Sequence, residues 1–418
     1  MLTETEVESF EDVLQQFIKL FPERPWAKRV DAWPKSSAKN PFRAALIRKA
    51  QPVVFGIAAW EERLKSESQE NLSDEMLVAM SFVAQIVELN KGGGDRNFLS
   101  RVRGALNRSH DMRALLFELQ IAVHLFRQGC TINWTNESSG SKAYDMLVVP
   151  SSMEGLEIEC KSFSVDKGEE NTVEERLAVL EKVVPALKGV MPIYAGCICV
   201  LQIEFKGKIS RDETFLNDIA RQIIGAVGSG ASCVGELCNL RFNVYDVSGI
   251  SSKQTLSVNE VGRFLDRVSG KSSCVVMKQT EGAGWMAFSA VNARSSRLKR
   301  AILKDAKYAI REQMSGVRPG CLAIQLDGLV GSEMNELFYN QNSMLRDLAV
   351  ELFDKVKHRH LAVILFASRP SLNVVGEYSL AEQGRVAVYE NQSGDYVDSD
   401  YGHLFVSSVE CTPSVVGD

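Results

Sequence analysis

The sequence predicts a mixed α/β chain: a helical N-terminal region, then a mixed sheet flanked by helices, then a second α/β unit at the C-terminus. Three observations lead there. Apolar residues recur at helical spacing through residues 1–90. From residue 112 helical patterns alternate with short β-branched runs bounded by turn residues. The alternation of helix and strand then resumes in the last third of the chain.

Phe10, Val13, Phe17, Leu20 and Phe21 mark an N-terminal helix, and Met76 to Leu89 another. Gly92-Gly93-Gly94-Asp95 breaks the pattern and reads as a hinge or domain edge. A helix is expected over Met112 to Arg127, closed by Gly129. Strands are expected at Thr131 to Trp134, Tyr144 to Val149 and Leu156 to Lys161. A helix from Val173 to Leu187 leads to the strand Gly196 to Phe205, and a helix from Thr214 to Val227 to the strand Leu240 to Val247. This gives a helical region at 1–94, a sheet domain at 95–250 and a C-terminal α/β domain at 251–418.

The last domain has two readings: a degenerate internal repeat, or an independent helix-strand-helix-strand unit that shares only Leu, Ile and small residues with the first. Gly196-Cys197-Ile198-Cys199-Val200 resembles Gly320-Cys321-Leu322-Ala323-Ile324, and Phe215 to Ala220 resembles Met344 to Ala349. In the repeat reading the strand Trp285 to Ser289 falls where Glu157 to Lys161 falls in the first unit, and it carries no acid and no lysine.

Composition excludes several classes. Lys and Arg total 48 and Asp and Glu 53, a net charge of -5, which argues against a polybasic protein but leaves local basic patches open. The acidic N-terminus lacks the basic-then-apolar order of a secretory signal. No apolar run approaches the ~20 residues of a membrane helix. Nine scattered cysteines without a CxxC pair suggest reduced core thiols in a cytoplasmic protein and no structural zinc. No complete P-loop pattern occurs, so no nucleotide cofactor is expected.

One constellation carries chemistry. Asp145 lies in Ala143 to Val149, a run apolar on both faces, where an isolated carboxylate is costly. Along Leu156 to Lys161 the side chains alternate, so Glu157, Glu159 and Lys161 share one face. The loop Pro150 to Gly155 is short enough for a hairpin, which brings Asp145 beside Glu159 and Lys161. Glu118 has Ala114, Leu115, Ile121, Ala122 and Leu125 on its own helix face, so it points into the packing stripe. Taken alone, Glu157, Glu159 and Lys161 read better as the solvated face of an amphipathic edge strand. Two further acids at positions that folding alone would fill with hydrophobes turn the reading toward a site. Glu157 is expected at its rim. Such oxygen donors suit Mg²⁺ bound with phosphate oxygens, and a nearby lysine can stabilise charge developing on an attacked phosphate.

The order of Glu118 on a helix, Asp145 on a strand and Glu159-Cys160-Lys161 on the next resembles the PD-(D/E)xK nuclease superfamily, with Tyr144 where the name has Pro. The resemblance spans about 100 residues and implies a restriction-endonuclease-like core with the order α-β-β-β-α-β, matched by the expected elements over 112–205. It implies that Asp145, Glu159 and the Cys160 backbone carbonyl hold Mg (or Mn), that Lys161 assists the nucleophile, and that Glu118 is an accessory acid. It further implies a metal-dependent DNA endonuclease, in the manner of effectors of bacterial restriction or anti-phage systems, acting as a homodimer or with a partner protein of a defence complex. A silent relative that binds nucleic acid or scaffolds a defence or repair complex is the alternative. A nuclease for RNA is a third possibility.

Two basic stretches could meet phosphates. One contains Arg96, Arg101, Arg103, Arg108 and Arg113; the other contains Arg294, Arg297, Lys299, Arg300, Lys304, Lys307 and Arg311, diluted by Asp305 and Glu312. His358-Arg359-His360 reads as a turn, and His124 lies on the helix face away from Glu118.

Overall fold

The computed structural model describes residues 2–6, 10–39, 44, 47–48, 50–66, 72–91, 95–108, 111–135, 144–164, 167, 169–187, 197–246, 275–279, 285–292, 297–327, 344–369, 371–375 and 379–406. Two compact units emerge. The first comprises Met1–Lys35, Leu46–Val165 and Lys299–Asp418; the second comprises Ser36–Ala45 and Asp166–Leu298. Both are mixed α/β structures.

The first unit opens with β1 (Leu2–Glu6), α1 (Phe10–Leu20), α2 (Ala27–Lys39, whose last residues from Ser36 fall to the second unit), α3 (Pro52–Ser66), α4 (Asp74–Lys91), α5 (Arg96–Asn107) and α6 (Asp111–Arg127). Then come β2 (Thr131–Trp134), β3 (Met146–Val149) and β4 (Leu156–Phe163). The second unit supplies α7 (Val173–Ala186), β5 (Cys197–Phe205), α8 (Glu213–Ser229), β6 (Cys233–Val234), β7 (Cys238–Asp246), β8 (Val275–Gln279) and β9 (Trp285–Asn292). The chain returns through α9 (Leu298–Tyr308), β10 (Gly320–Leu326), α10 (Met344–Phe353), β11 (Leu361–Ser368), β12 (Ser371–Val375), β13 (Ser379–Gln383) and β14 (Val386–Glu390).

Local sequence explains the elements that frame the site. Asp95 caps α5, its carboxylate accepting the Asn97 N–H at 2.8 Å. Phe98, Val102, Ala105 and Leu106 bury one face of α5, and the Phe98 ring stacks on Trp134 with centroids 4.9 Å apart. α6 packs against α4, α5, β2 and β4. It buries Leu115, Phe117, Leu119, Ile121, Ala122, Val123 and Leu125, so apolar residues cover nearly its whole circumference.

The main sheet runs β14-β11-β10-β4-β3-β2. β2, β3 and β4 form an antiparallel meander; β4, β10 and β11 are parallel; β14 closes the edge antiparallel to β11. Every residue of β10 and β11 is buried, which fits parallel strands covered on both faces. A smaller sheet orders β1-β13-β12. In the second unit the sheet runs β6-β7-β5-β9-β8. There, α8 starts at an Asp212 cap and stops at Gly230, whose φ of 65° is a left-handed conformation suited to glycine.

Three expectations change. β5 does not follow β4 in one sheet; the parallel neighbour of β4 is β10. The boundaries at 94/95 and 250/251 therefore do not divide the sheets. Instead the first unit's sheet is interrupted by residues 166–298 and resumed afterwards. The physical reason is that β5 and β10 are equally apolar central strands, and an apolar run does not encode its partner. The repeat reading also splits. β8–β9 is an antiparallel hairpin with β5 parallel to β9, as β3–β4 is a hairpin with β10 parallel to β4. Beyond that the two diverge, since β7 joins β5 antiparallel while β11 joins β10 parallel. The hinge expected at residues 92–94 lies outside the described residues, as do Arg294 and Cys274.

Candidate active site

β4 organises the site. Leu156, Ile158 and Cys160 join the hydrophobic core, and alternation turns Glu157, Glu159 and Lys161 the other way. Met146 pairs with Ile158 across the β3–β4 ladder, so Asp145, one residue ahead, comes level with Glu159. The Asp145 N–H donates to the Ile158 carbonyl at 3.1 Å. Its carboxylate Oδ2 accepts the Cys160 N–H at 2.7 Å. A strand residue's N–H and C=O leave the same edge, which directs the Cys160 carbonyl toward Asp145.

The structure brings together the four side chains expected to converge. Glu118, Asp145 and Glu159 are 3%, 8% and 1% exposed, too buried for a solvated strand face. Lys161 Nζ donates to Glu159 Oε1 at 2.6 Å. Glu159 Oε2 is buried and has no hydrogen-bond partner among the described residues. Burial, then the neighbouring Asp145 carboxylate, push the Glu159 carboxyl up to about 8; Lys161 pulls it back, and Glu118 adds a smaller upward push. For Lys161, burial works to lower the pKa, but Glu159 and Asp145 outweigh it and hold the ammonium above its ordinary value. Burial, then the surrounding acids, drive the Cys160 thiol well up, so it is a neutral core group.

Arg101 is the residue that sequence reasoning misplaced. Its guanidinium turns inward: Nε sits 2.8 Å from Glu118 Oε2, Nη2 donates to Glu118 Oε1 at 3.0 Å, and Nη2 also donates to Asp145 Oδ1. The signal was present. Arg101 lies three residues after Phe98 and four before Ala105, beside the buried stripe of α5, so the argument that found Glu118 applies to it equally.

The other basic residues scatter. Arg103 pairs with Glu23 and lies over the Phe21 ring. Arg108, just past α5, and Arg96 are exposed. Arg113 and Arg369, both largely exposed, flank Asp327 at 3.7 and 3.4 Å, at the carboxyl end of β10. On α9, Lys299 and Lys307 pair with Asp347 and Glu351 of α10, which neutralises part of that stretch. Arg300 and Lys304 face solvent, as does Arg297 just ahead of the helix.

Glu157 is not a rim group. It is fully buried, accepts the Ser315 N–H at 2.8 Å and stands 3.9 Å from Arg318. It fastens the turn before β10, a segment too distant in sequence for strand alternation to foresee. Gln325, a polar residue in the apolar strand β10, accepts from Ser162 at 2.9 Å. It was legible as an exception within an apolar run. His358 Nδ1–H donates to the Leu352 carbonyl, and His124 meets the Leu404 carbonyl, so neither belongs to the site. Cys130, Cys160, Cys197, Cys199, Cys233, Cys238 and Cys321 are free thiols. No described helix is long and apolar enough to cross a membrane.

Among the described residues no group of three or more His, Cys, Asp and Glu side chains is arranged to hold a metal alone. A cation here would rest on two carboxylates, a backbone carbonyl and water. Comparison with family models, curated proteins and solved structures gives no match to the chain.

Proposed function

We propose that this chain is a metal-dependent nuclease hydrolysing phosphodiester bonds, with DNA the leading substrate. The observation that carries the reading is the pair of buried acids Asp145 and Glu159, with half-buried Lys161 bonded to Glu159 and the Glu159 Oε2 without a hydrogen-bond partner among the described residues. Burying such charges is costly unless something binds them. The element order α6-β2-β3-β4-α9-β10 adds support. It has the α-β-β-β-α-β succession implied by the resemblance to PD-(D/E)xK nucleases, with residues 166–298 inserted ahead of its last helix.

The donor set fits Mg²⁺ or Mn²⁺. Glu159 Oε2, Asp145 Oδ1 and the Cys160 carbonyl are hard oxygen donors, two of them carboxylate. When bound, the ion would lower the pKa of an attacking water and polarise the phosphate. The chain's own groups supply the rest. Asp145 is held in place by the Cys160 N–H. Lys161, with its pKa raised, is a cation at neutral pH and not a general base. Its role is to donate a hydrogen bond to the nucleophilic water or to the charge gathering on the phosphate. Arg113 and Arg369, exposed beside Asp327 at the carboxyl end of β10, are the candidates for contacts with flanking phosphates. Alanine at both should weaken DNA binding and reduce its salt slope by about 2.

A second reading has its own observation. Arg101 spans Glu118 and Asp145, and Lys161 closes on Glu159, so the acids already have counter-ions. A silent nucleic-acid-binding relative would look the same. Plasmid cleavage with Mg²⁺, compared for wild type, Asp145→Asn and Lys161→Met, separates the two. Loss in both variants supports the nuclease; equal cleavage in all three refutes the site.

A further inference from the structure

We infer that Arg101 is an internal counter-ion that occupies Asp145 until a divalent cation displaces it, so that metal loading and release of Arg101 are one competitive event. The inference rests on the metal-dependent reading above and adds a positioning residue to it.

The bond inventory leads there. Asp145 has two oxygens. Oδ2 is committed to the Cys160 N–H, and Oδ1 to Arg101 Nη2. A cation that takes Oδ1 and leaves the strand's bond to Oδ2 untouched shares that oxygen with the Arg101 guanidinium, whose positive charge opposes the ion. Glu118 is engaged differently. Arg101 Nη2 donates to Glu118 Oε1 at 3.0 Å and Nε stands 2.8 Å from Oε2, a hydrogen bond and an ion-pair contact that do not require Asp145. Letting go of Asp145 thus costs the guanidinium one contact and leaves it anchored on Glu118.

The surroundings permit the exchange. α5 is fixed by its Asp95 cap and by the Phe98–Trp134 stack, so the backbone under Arg101 stays put. The Arg101 side chain keeps 20% of its surface exposed, against 3% for Glu118 and 11% for Asp145. It is the member of the trio with room to turn. Glu159 Oε2, with no hydrogen-bond partner among the described residues, is ready for the incoming ion. Without an ion, Arg101 keeps Glu118 and Asp145 from facing each other as unscreened charges. With one, its released edge faces the site and can meet a phosphate oxygen. The state that binds metal is then also the state that offers a cation to the substrate.

The experiment is Mn²⁺ titration of the full chain followed by electron paramagnetic resonance of free Mn²⁺, for wild type, Arg101→Gln, Arg101→Lys and Asp145→Asn. Removing the competitor should tighten Mn²⁺ binding in Arg101→Gln by about fivefold or more. Arg101→Lys should stay near wild type, and Asp145→Asn should lose the site. Tightening confined to Arg101→Gln supports the competition. Wild-type binding that needs Asp145 but is unchanged or weakened in Arg101→Gln overturns it and leaves the metal site standing. No binding in any variant overturns the metal-dependent reading itself. Should Arg101→Gln fail to fold, nitrogen-15 resonances of the wild-type Arg101 guanidinium, assigned by their absence in Arg101→Lys, decide it. They should shift as Mg²⁺ is added and saturate with it; no shift at saturation overturns the inference.

Discussion

The two units use the same strand arrangement for opposite ends. In the first, the hairpin β3–β4 lies beside β10 in parallel, and Glu159 and Lys161 stand opposite Leu322 and Ile324. In the second, the hairpin β8–β9 lies beside β5 in parallel, and Trp285 and Ala287 stand opposite Ile198 and Val200. These positions correspond when Gly196 to Val200 is set against Gly320 to Ile324, a register that puts Trp285 at Glu159 and corrects the expected match of Trp285 with Glu157 by two residues. One frame carries a buried acid and a lysine, the other a tryptophan and an alanine. The backbone arrangement alone therefore does not call for charge at these positions.

That contrast can be broken by moving charge between the units. Ala287 is 1% exposed. Ala287→Glu should unfold the second unit or cost it at least about 4 kcal/mol, read by urea denaturation. The acids of the first unit survive because they are paired. Arg101→Ala leaves Glu118 and Asp145 buried without that partner and should cost about 3–5 kcal/mol in metal-free protein. A cost below about 1 kcal/mol would mean that the acids are not charged in the resting protein.

A smaller effect comes from Glu159. Its carboxyl titrates near 8 in the folded chain and near 4.5 unfolded. Between those values the folded state holds a proton that the unfolded state has lost. Metal-free stability should therefore fall as pH rises through that window. Glu159→Gln should flatten the slope and exceed wild type at pH 9 by about 1–3 kcal/mol. A slope unchanged in the variant would contradict the assignment. Smallest is the ion pair Lys299–Asp347, with both side chains substantially exposed. Lys299→Ala should change stability by no more than about 0.5 kcal/mol.

Much of the site was legible in the sequence, and the reason is local. Glu118 and Asp145 stood out because they interrupt apolar patterns whose period fixes the direction of the side chain. Arg101 and Gln325 interrupt such patterns too and were open to the same reasoning. Glu157 was not, because its partners Ser315 and Arg318 lie about 160 residues away. Helix α6 and strands β2 to β4 were legible for the same local reason, together with the β3–β4 hairpin, since its short loop brings the neighbours to pair. The choice of β10 over β5 as the next strand was not. Both are central, apolar and preceded by a helix, and nothing within either run distinguishes its partner.

The central claim is that the cluster on β4 and the residue ahead of β3 is a metal-dependent site for phosphodiester cleavage. It is tested most directly by single-turnover cleavage of end-labelled DNA with and without Mg²⁺. The comparison is wild type against Lys161→Met and Asp145→Asn, each checked for a native melting profile. The expected result is cleavage by wild type only with the ion, and a loss of about a hundredfold or more in each variant. Cleavage that persists without the ion, or that survives both substitutions in folded protein, would contradict it.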